Sequence, residues 1–197
     1  MFQRANPKGE SVSHFWAVTC FFNPAGYRRK LANYKTFRKL LAIPLVAVEL
    51  SHEARFELVE GDAEILVQLS GADVMWQKER LLNIAISHLP PECDFFAWLD
   101  CDVIFSREDW VSAAVHELNR TDICHLYRSV YHIARDATTI SRDTSVLWYD
   151  SLGYAVAMGI MPPVFFKDSV TRIFRRGHAW CARRDVIAPH GSVAKTR

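Results

Sequence analysis

The run Phe95, Phe96, Ala97, Trp98, Leu99 is apolar at every position, without the polar alternation of a strand that keeps one face in water. Such a strand needs cover on both faces, and a sheet layered between helices supplies it. The run closes on Asp100, Cys101 and Asp102. In extended backbone, residues i and i+2 project to the same side, which predicts the two carboxylates about 6.5–7 Å apart with Cys101 turned away. A hard cation such as magnesium, manganese or calcium suits that pair of oxygen ligands and fills its other positions with water or phosphate. Ligands of open α/β sheets bind beyond the carboxyl ends of the strands, which is where Asp100 and Asp102 stand.

With 197 residues the chain is long enough for one substantial core and short for two domains. Half of the residues are hydrophobic and 23% are charged, an ordinary globular balance, and a net charge of +2 argues against a nucleic-acid partner. The first ten residues lack the apolar core of a secretory signal. The longest apolar stretch, Leu40 to Val48, contains Pro44 and is far shorter than the ~20 residues of a membrane span. A cytoplasmic protein is expected. Cys20, Cys93, Cys101, Cys124 and Cys181 are odd in number and widely spaced, so they read as reduced core residues rather than a disulfide framework or zinc site.

Strands are expected at His14 to Phe22, Leu45 to Leu50, Ala63 to Leu69, Phe95 to Asp102 and Ile123 to Val130. Helices are expected at Tyr27 to Leu41, from about Val74 to His88 with Asp73 as cap, and at Ser106 to Asn119. In the last, Ser106 caps, Glu108 and Asp109 lie in the first turn, and Trp110, Ala113, Ala114 and Leu118 face the core. This alternation predicts a three-layer α/β fold with a mostly parallel central sheet and helices on both faces. Residues 135–150 carry no clear period and read as a loop or lid, and 153–164 is broken by Gly159, Pro162 and Pro163. The basic residues Arg28, Arg29, Lys30, Lys35, Arg38 and Lys39 on the first helix read as a solvated face, with peripheral contact to an anionic membrane surface as the alternative.

Four pieces in order resemble the nucleotide-sugar glycosyltransferases of the GT-A fold, of the family 2 or galactosyltransferase-like kind. They are the first strand ending at Asn23; the segment Trp76, Gln77, Lys78, Glu79, Arg80, Leu81, Leu82, Asn83; the strand closing on Asp100 and Asp102; and Gly177, His178, Ala179, Trp180, Cys181, Ala182, Arg183, Arg184. The resemblance spans 14–187, leaving 1–13 and 188–197 as tails. It implies a divalent metal, manganese or magnesium, held by Asp100 and Asp102, and a nucleotide-diphosphate sugar as donor. Asn23 and Glu49 then stand near base and ribose, and Lys78, Arg80 and Asn83 beside the donor, with Lys78 or Arg80 meeting phosphate charge. Gly177, His178 and Trp180 take the side of a carbohydrate or lipid-linked acceptor, Trp180 offering an indole face to a sugar ring.

The resemblance breaks after Trp180. Inverting members place a carboxylate shortly beyond that segment to deprotonate the acceptor, whereas here Asp185 is followed by twelve residues, Val186 to Arg197, without an acid. That ending reads as a truncated or frame-altered terminus, or as a fragment whose last core pieces are lost. Asp150, Asp168 and Asp185 remain as substitute bases, none selected by the sequence. A domain that binds nucleotide sugar without turning it over is therefore the alternative. A phosphotransferase of the haloacid-dehalogenase type is disfavoured, because its Asp-x-Asp lies on the first strand and Ile104 replaces its small residue.

Overall fold

Leu45–Ser51 buries six of its seven residues, and Phe95–Leu99 pairs beside the equally buried Phe15–Phe22. These segments are β2, β4 and β1 of a six-stranded sheet, completed by β3 (Ile65–Ser70), β5 (Ile123–His125) and β9 (Ala179–Arg183) in the order β3-β2-β1-β4-β9-β5. The computed structural model describes residues 14–71, 75, 77–134, 137–139, 145–159, 174–175 and 177–187, with backbone alone for 145–147 and 174–175. The expected cap Asp73, Val74, Trp76, Asp168 and both tails lie outside the described residues.

The chain is a three-layer α/β protein with a mostly parallel sheet. Helices α1 (Arg28–Leu40) and α3 (Trp110–Leu118) cover one face, where Tyr34, Phe37, Trp110, Val111, Ala114 and Leu118 meet Phe15, Ala17, Phe21, Leu45, Ala47 and Leu99. Helix α2 (Lys78–Ser87) covers the other face, packing Leu81, Leu82 and Ala85 on Val18, Val46, Val48 and Phe96. Strand side chains alternate between the two cores, which is why β1 and β2 tolerate no polar alternation. Burying a Leu or Phe side chain in such a layer is worth about 1.5–3 kcal/mol.

The parallel ladder β3-β2-β1-β4 is extended by a strand of opposite sense. β9 runs antiparallel to both β4 and β5, with Trp98 opposite Trp180 and Ala97 opposite Cys181. The expected strand from Ile123 to Val130 is in fact two. β5 ends at His125, and β6 (Ser129–Ile133) leaves to begin a second sheet with β7 (Ser145–Ser151) and β8 (Phe174–Arg175). Residues 145–150, expected as loop, are therefore strand. β7 leads directly into the short helix α4 (Leu152–Ala157), whose first turn is capped by Ser151 Oγ accepting from Tyr154 N at 3.1 Å. Helix α5 (Arg184–Ile187) follows β9.

The third helix also departs from expectation. It starts at Trp110, so Ser106 does not cap it and Glu108 and Asp109 lie outside its first turn. Phe105 stacks on Trp110 with centroids 4.1 Å apart, and Arg107 pairs with Asp109 at 2.6 Å, which shapes the preceding residues as a loop. On α1, half of the basic residues are engaged internally: Lys35 pairs with Asp62 at 2.5 Å, Arg38 with Glu64 at 2.6 Å, and Lys30 donates to the Phe22 carbonyl. Among the described residues no helix is long and apolar enough to cross a membrane.

Candidate functional site

The carboxyl ends of β1 and β4 open onto a cavity of about 390 Å³ lined by Cys20, Phe22, Lys30, Met75, Gln77, Lys78, Leu81, Asp100, Cys101 and Asp102. That volume falls in the range of small-molecule sites. Three elements converge on it: β1 with the first turn of α1, the N-terminal end of α2, and the residues after β4. Position relative to parallel strand ends accounts for the convergence.

β4 stops at Leu99, so Asp100 and Asp102 do not project from extended strand as the spacing predicts. They sit in a turn, closed by Val103 N donating to Asp100 O at 3.2 Å, and Cys101 lines the same cavity rather than facing away. The turn is anchored at two points. Thr19 Oγ1, buried in β1, donates to Leu99 O at 2.7 Å, and Asp100 N donates to His178 O at 2.8 Å.

Asp100 is the electrostatic centre. Its Oδ1 accepts from Lys78 Nζ, and its Oδ2 lies 3.1 Å from His178 Nδ1. An ionised carboxylate only accepts, so Nδ1 carries the proton. Burial works against the Asp100 charge, but the hydrogen bonds from His178 and Lys78 outweigh it and hold the group below the ordinary carboxylate range. Asp102 moves the other way. Although its side chain keeps contact with solvent, desolvation by the surrounding cavity pushes it up, and the adjacent Asp100 charge adds to the rise. Among the described residues nothing hydrogen-bonds the Asp102 carboxylate, which makes it the free acid of the cavity. His178 takes a left-handed backbone, with φ at +79°, a conformation that a non-glycine side chain adopts at a cost of about 1 kcal/mol or more.

The other expected site residues divide sharply. Lys78 lies in the cavity, but Arg80 is exposed and bonded to Gln77 Oε1 at 2.6 Å, and Asn83 is exposed on the outer side of α2. Asn23 builds the β1–α1 turn: its Oδ1 accepts from Tyr27 N at 3.0 Å and its Nδ2 reaches Glu57 at 2.7 Å. Glu49 is 2% exposed and takes backbone N–H bonds from Glu57 at 2.6 Å and Leu58 at 3.2 Å, plus Gln68 Nε2 at 2.9 Å. Every strong acceptor direction of Glu49 is thus spent on fixing the segment after β2, and neither Asn23 nor Glu49 lines the cavity.

On the expected acceptor side, His178 reaches the site through Asp100. Gly177 is exposed and its carbonyl accepts from Tyr127 Oη at 2.5 Å. Trp180 is half-buried, stacked on Trp98 with centroids 6.1 Å apart and planes 6° from parallel, and meets the His125 ring edge-on. One indole face is therefore covered by protein. Of the substitute bases, Asp150 accepts from Ser129 Oγ at 2.6 Å and Asp185 is paired with Arg183 at 2.5 Å; neither lines the cavity.

Sequence reasoning missed Lys30 and Cys20. Lys30, expected on a solvated face, is half-buried and lines the cavity, where it donates to the Phe22 carbonyl. Its position just beyond the β1 turn is the available signal, since that loop stands at a strand's carboxyl end.

The chemistry of the donor set admits a divalent cation. Magnesium and manganese take one or two carboxylates and leave the rest of their positions to water and phosphate, a need that Asp100 and Asp102 meet. No group of three or more metal-ligating side chains occurs among the described residues. No protein-family model matches the sequence, and no curated protein matches it. Among solved structures, the crystal structure of 4-diphosphocytidyl-2C-methyl-D-erythritol synthase from Anaerococcus prevotii DSM 20548 aligns with 93% of this chain and 77% of its own, at 9% identity and a TM-score of 0.46. The class defined here is accordingly architectural: a layered α/β protein with a charged cavity at the carboxyl edge of its sheet.

Proposed function

We propose that the chain is a transferase acting on a nucleotide-diphosphate sugar, of the glycosyltransferase kind, with Asp100 and Asp102 as ligands of manganese or magnesium. The observation that supports this reading is the gathering of two carboxylates and two ammonium groups, Asp100, Asp102, Lys30 and Lys78, in one cavity at the carboxyl ends of β1 and β4. A diphosphate is the ligand whose charge needs both signs of partner. Its oxygens suit Lys30 and Lys78 directly, and suit the carboxylates only with a cation between.

A bound cation supplies Lewis-acid stabilisation of the diphosphate leaving group. The chain's own residues do the rest. His178 holds Asp100 in one orientation through its ring and its carbonyl, Thr19 fixes the end of β4, and Lys78 neutralises charge that would otherwise repel phosphate. Leu81 and Phe22 form apolar wall, which lowers the local dielectric and strengthens each of these interactions.

The experiment is calorimetric titration of nucleoside diphosphates with and without manganese on the full chain. Metal-dependent binding that vanishes in Asp102→Ala is expected, and unchanged binding in that variant rejects the site. A second reading, binding without transfer, is favoured by one specific feature: among the described residues, no carboxylate beyond the pair itself lines the cavity to act as acceptor base. Release of free sugar from a nucleotide sugar, even slow, would decide against it.

A further inference from the structure

Cys124 on β5 and Cys181 on β9 lie directly opposite one another in the antiparallel ladder, with their sulfurs 3.0 Å apart. Arg183 N donates to Asp122 O at 3.0 Å and Leu126 N to Ala179 O at 3.2 Å, bracketing the pair two residues away on each side. Directly opposed residues of such a ladder have α-carbons about 4.5–5.5 Å apart, inside the span of about 4.4–6.8 Å that a disulfide bridges. The sulfurs need to close by only about 1 Å to reach bonding distance.

We propose that Cys124 and Cys181 are a disulfide-forming pair, oxidised by a hydroperoxide with Cys124 as the attacking thiol. β5 is the edge strand and Cys124 is half-buried, whereas Cys181 is buried completely, so a small oxidant reaches Cys124 first. The hydrogen bond from Cys181 favours the Cys124 thiolate, outweighing burial. That thiolate attacks a peroxide oxygen, the O–O bond breaks, and the departing hydroxide takes up a proton as water. Cys181 then gives up its proton and attacks the Cys124 sulfenic sulfur. The S–O bond breaks and a second water leaves. Two thiols lose two electrons in total, and hydrogen peroxide gains them.

The remaining cysteines are internal controls. Burial pushes the thiols of Cys20 and Cys93 up to about 11, which keeps them protonated and slow to react. The bond would tie β5 to β9 across 57 positions of sequence, enclosing the second sheet.

The test treats the reduced full chain with hydrogen peroxide, removes the oxidant, alkylates all remaining thiols in denaturant, and maps peptides by mass spectrometry. Expected are a Cys124–Cys181 linked peptide and three alkylated thiols of five, with five restored by dithiothreitol. Five alkylated thiols after treatment, sulfinic acid at Cys124 beside an alkylated Cys181, or a link between other cysteines would overturn the proposal. Cys124→Ser, a near-isosteric change at a half-buried edge, should leave four alkylated thiols and an unreactive Cys181, with circular dichroism checking its fold. Loss of thiols from Cys124→Ser at the wild-type rate would equally reject Cys124 as the attacking group.

Discussion

His178 grips Asp100 twice across 78 positions of sequence, its carbonyl accepting the Asp100 N–H at 2.8 Å and its Nδ1 lying 3.1 Å from the carboxylate Oδ2. The left-handed backbone at His178 permits both contacts at once, because it turns the chain sharply just before β9 enters the sheet. Asp100 is thereby oriented by the strand beside it rather than by its own strand. Its neighbour Asp102 has no such partner among the described residues, and the two acids respond to change in opposite directions.

Asp100→Asn should destabilise the protein by about 1–2 kcal/mol, since it leaves Lys78 and His178 without their charged acceptor in a half-buried setting. Asp102→Asn should leave stability nearly unchanged, because Asp102 is exposed at the cavity and solvent screens its repulsion by Asp100. Urea unfolding of both variants without metal checks this. A larger loss for Asp102→Asn than for Asp100→Asn contradicts the assignment.

The same asymmetry sets the pH behaviour. Asp100, lowered in the folded state, contributes stability that is present above the ordinary carboxylate pKa of about 4 and lost as pH falls through its depressed value. Asp102, raised in the folded state, contributes stability that is full below about pH 4 and lost as pH rises through its elevated value. Cation affinity, which needs Asp102 ionised, should therefore fall on acidification at a pH above the usual carboxylate range. Manganese titration across pH reads that midpoint, and an ordinary carboxylate midpoint would contradict it.

Lys78→Met should weaken nucleoside diphosphate binding by about tenfold, the worth of roughly one charge-assisted hydrogen bond. The loss should shrink as salt is raised, because the cavity is open to solvent at one side. Arg80→Met, on an exposed residue paired within its own helix turn, should change affinity little. Calorimetry on the two variants separates them, and equal losses would move the phosphate contact off Lys78.

Glu49→Ala should cost about 2–4 kcal/mol by orphaning the Glu57 and Leu58 N–H groups and leaving the Gln68 amide only its Leu58 carbonyl acceptor, with ligand affinity intact in the folded fraction. Thermal unfolding and titration of the same sample distinguish the outcomes. Affinity lost without stability would place Glu49 at the ligand after all.

What the sequence disclosed tracked local patterning. β1 and β2 lie within a residue of their apolar runs, and Tyr34, Trp110, Ala114 and Leu118 face the core as helical spacing predicts. Non-local pairing was hidden. Nothing in the run Ala179 to Arg183 marks it as antiparallel to β4, and the division of residues 123–133 between two sheets depends on partners far along the chain. At the site, the neighbours of Asp100 were legible as residues but not as partners. His178 was singled out for an acceptor and Lys30 for solvent, and only the closing of β9 against β4 and the turn after β1 bring either to the cavity region.

The insertion of β9 between β4 and β5 has a consequence for biogenesis. A ribosome delivers β1 through β5 well before residues 179–183 emerge, so the outer edge of β4 stays unpaired, its backbone groups hydrogen-bonded only to water, while about 80 further residues are made. The nascent chain therefore carries an open sheet edge until that one short segment emerges, which both seals the edge and delivers the histidine that orients Asp100.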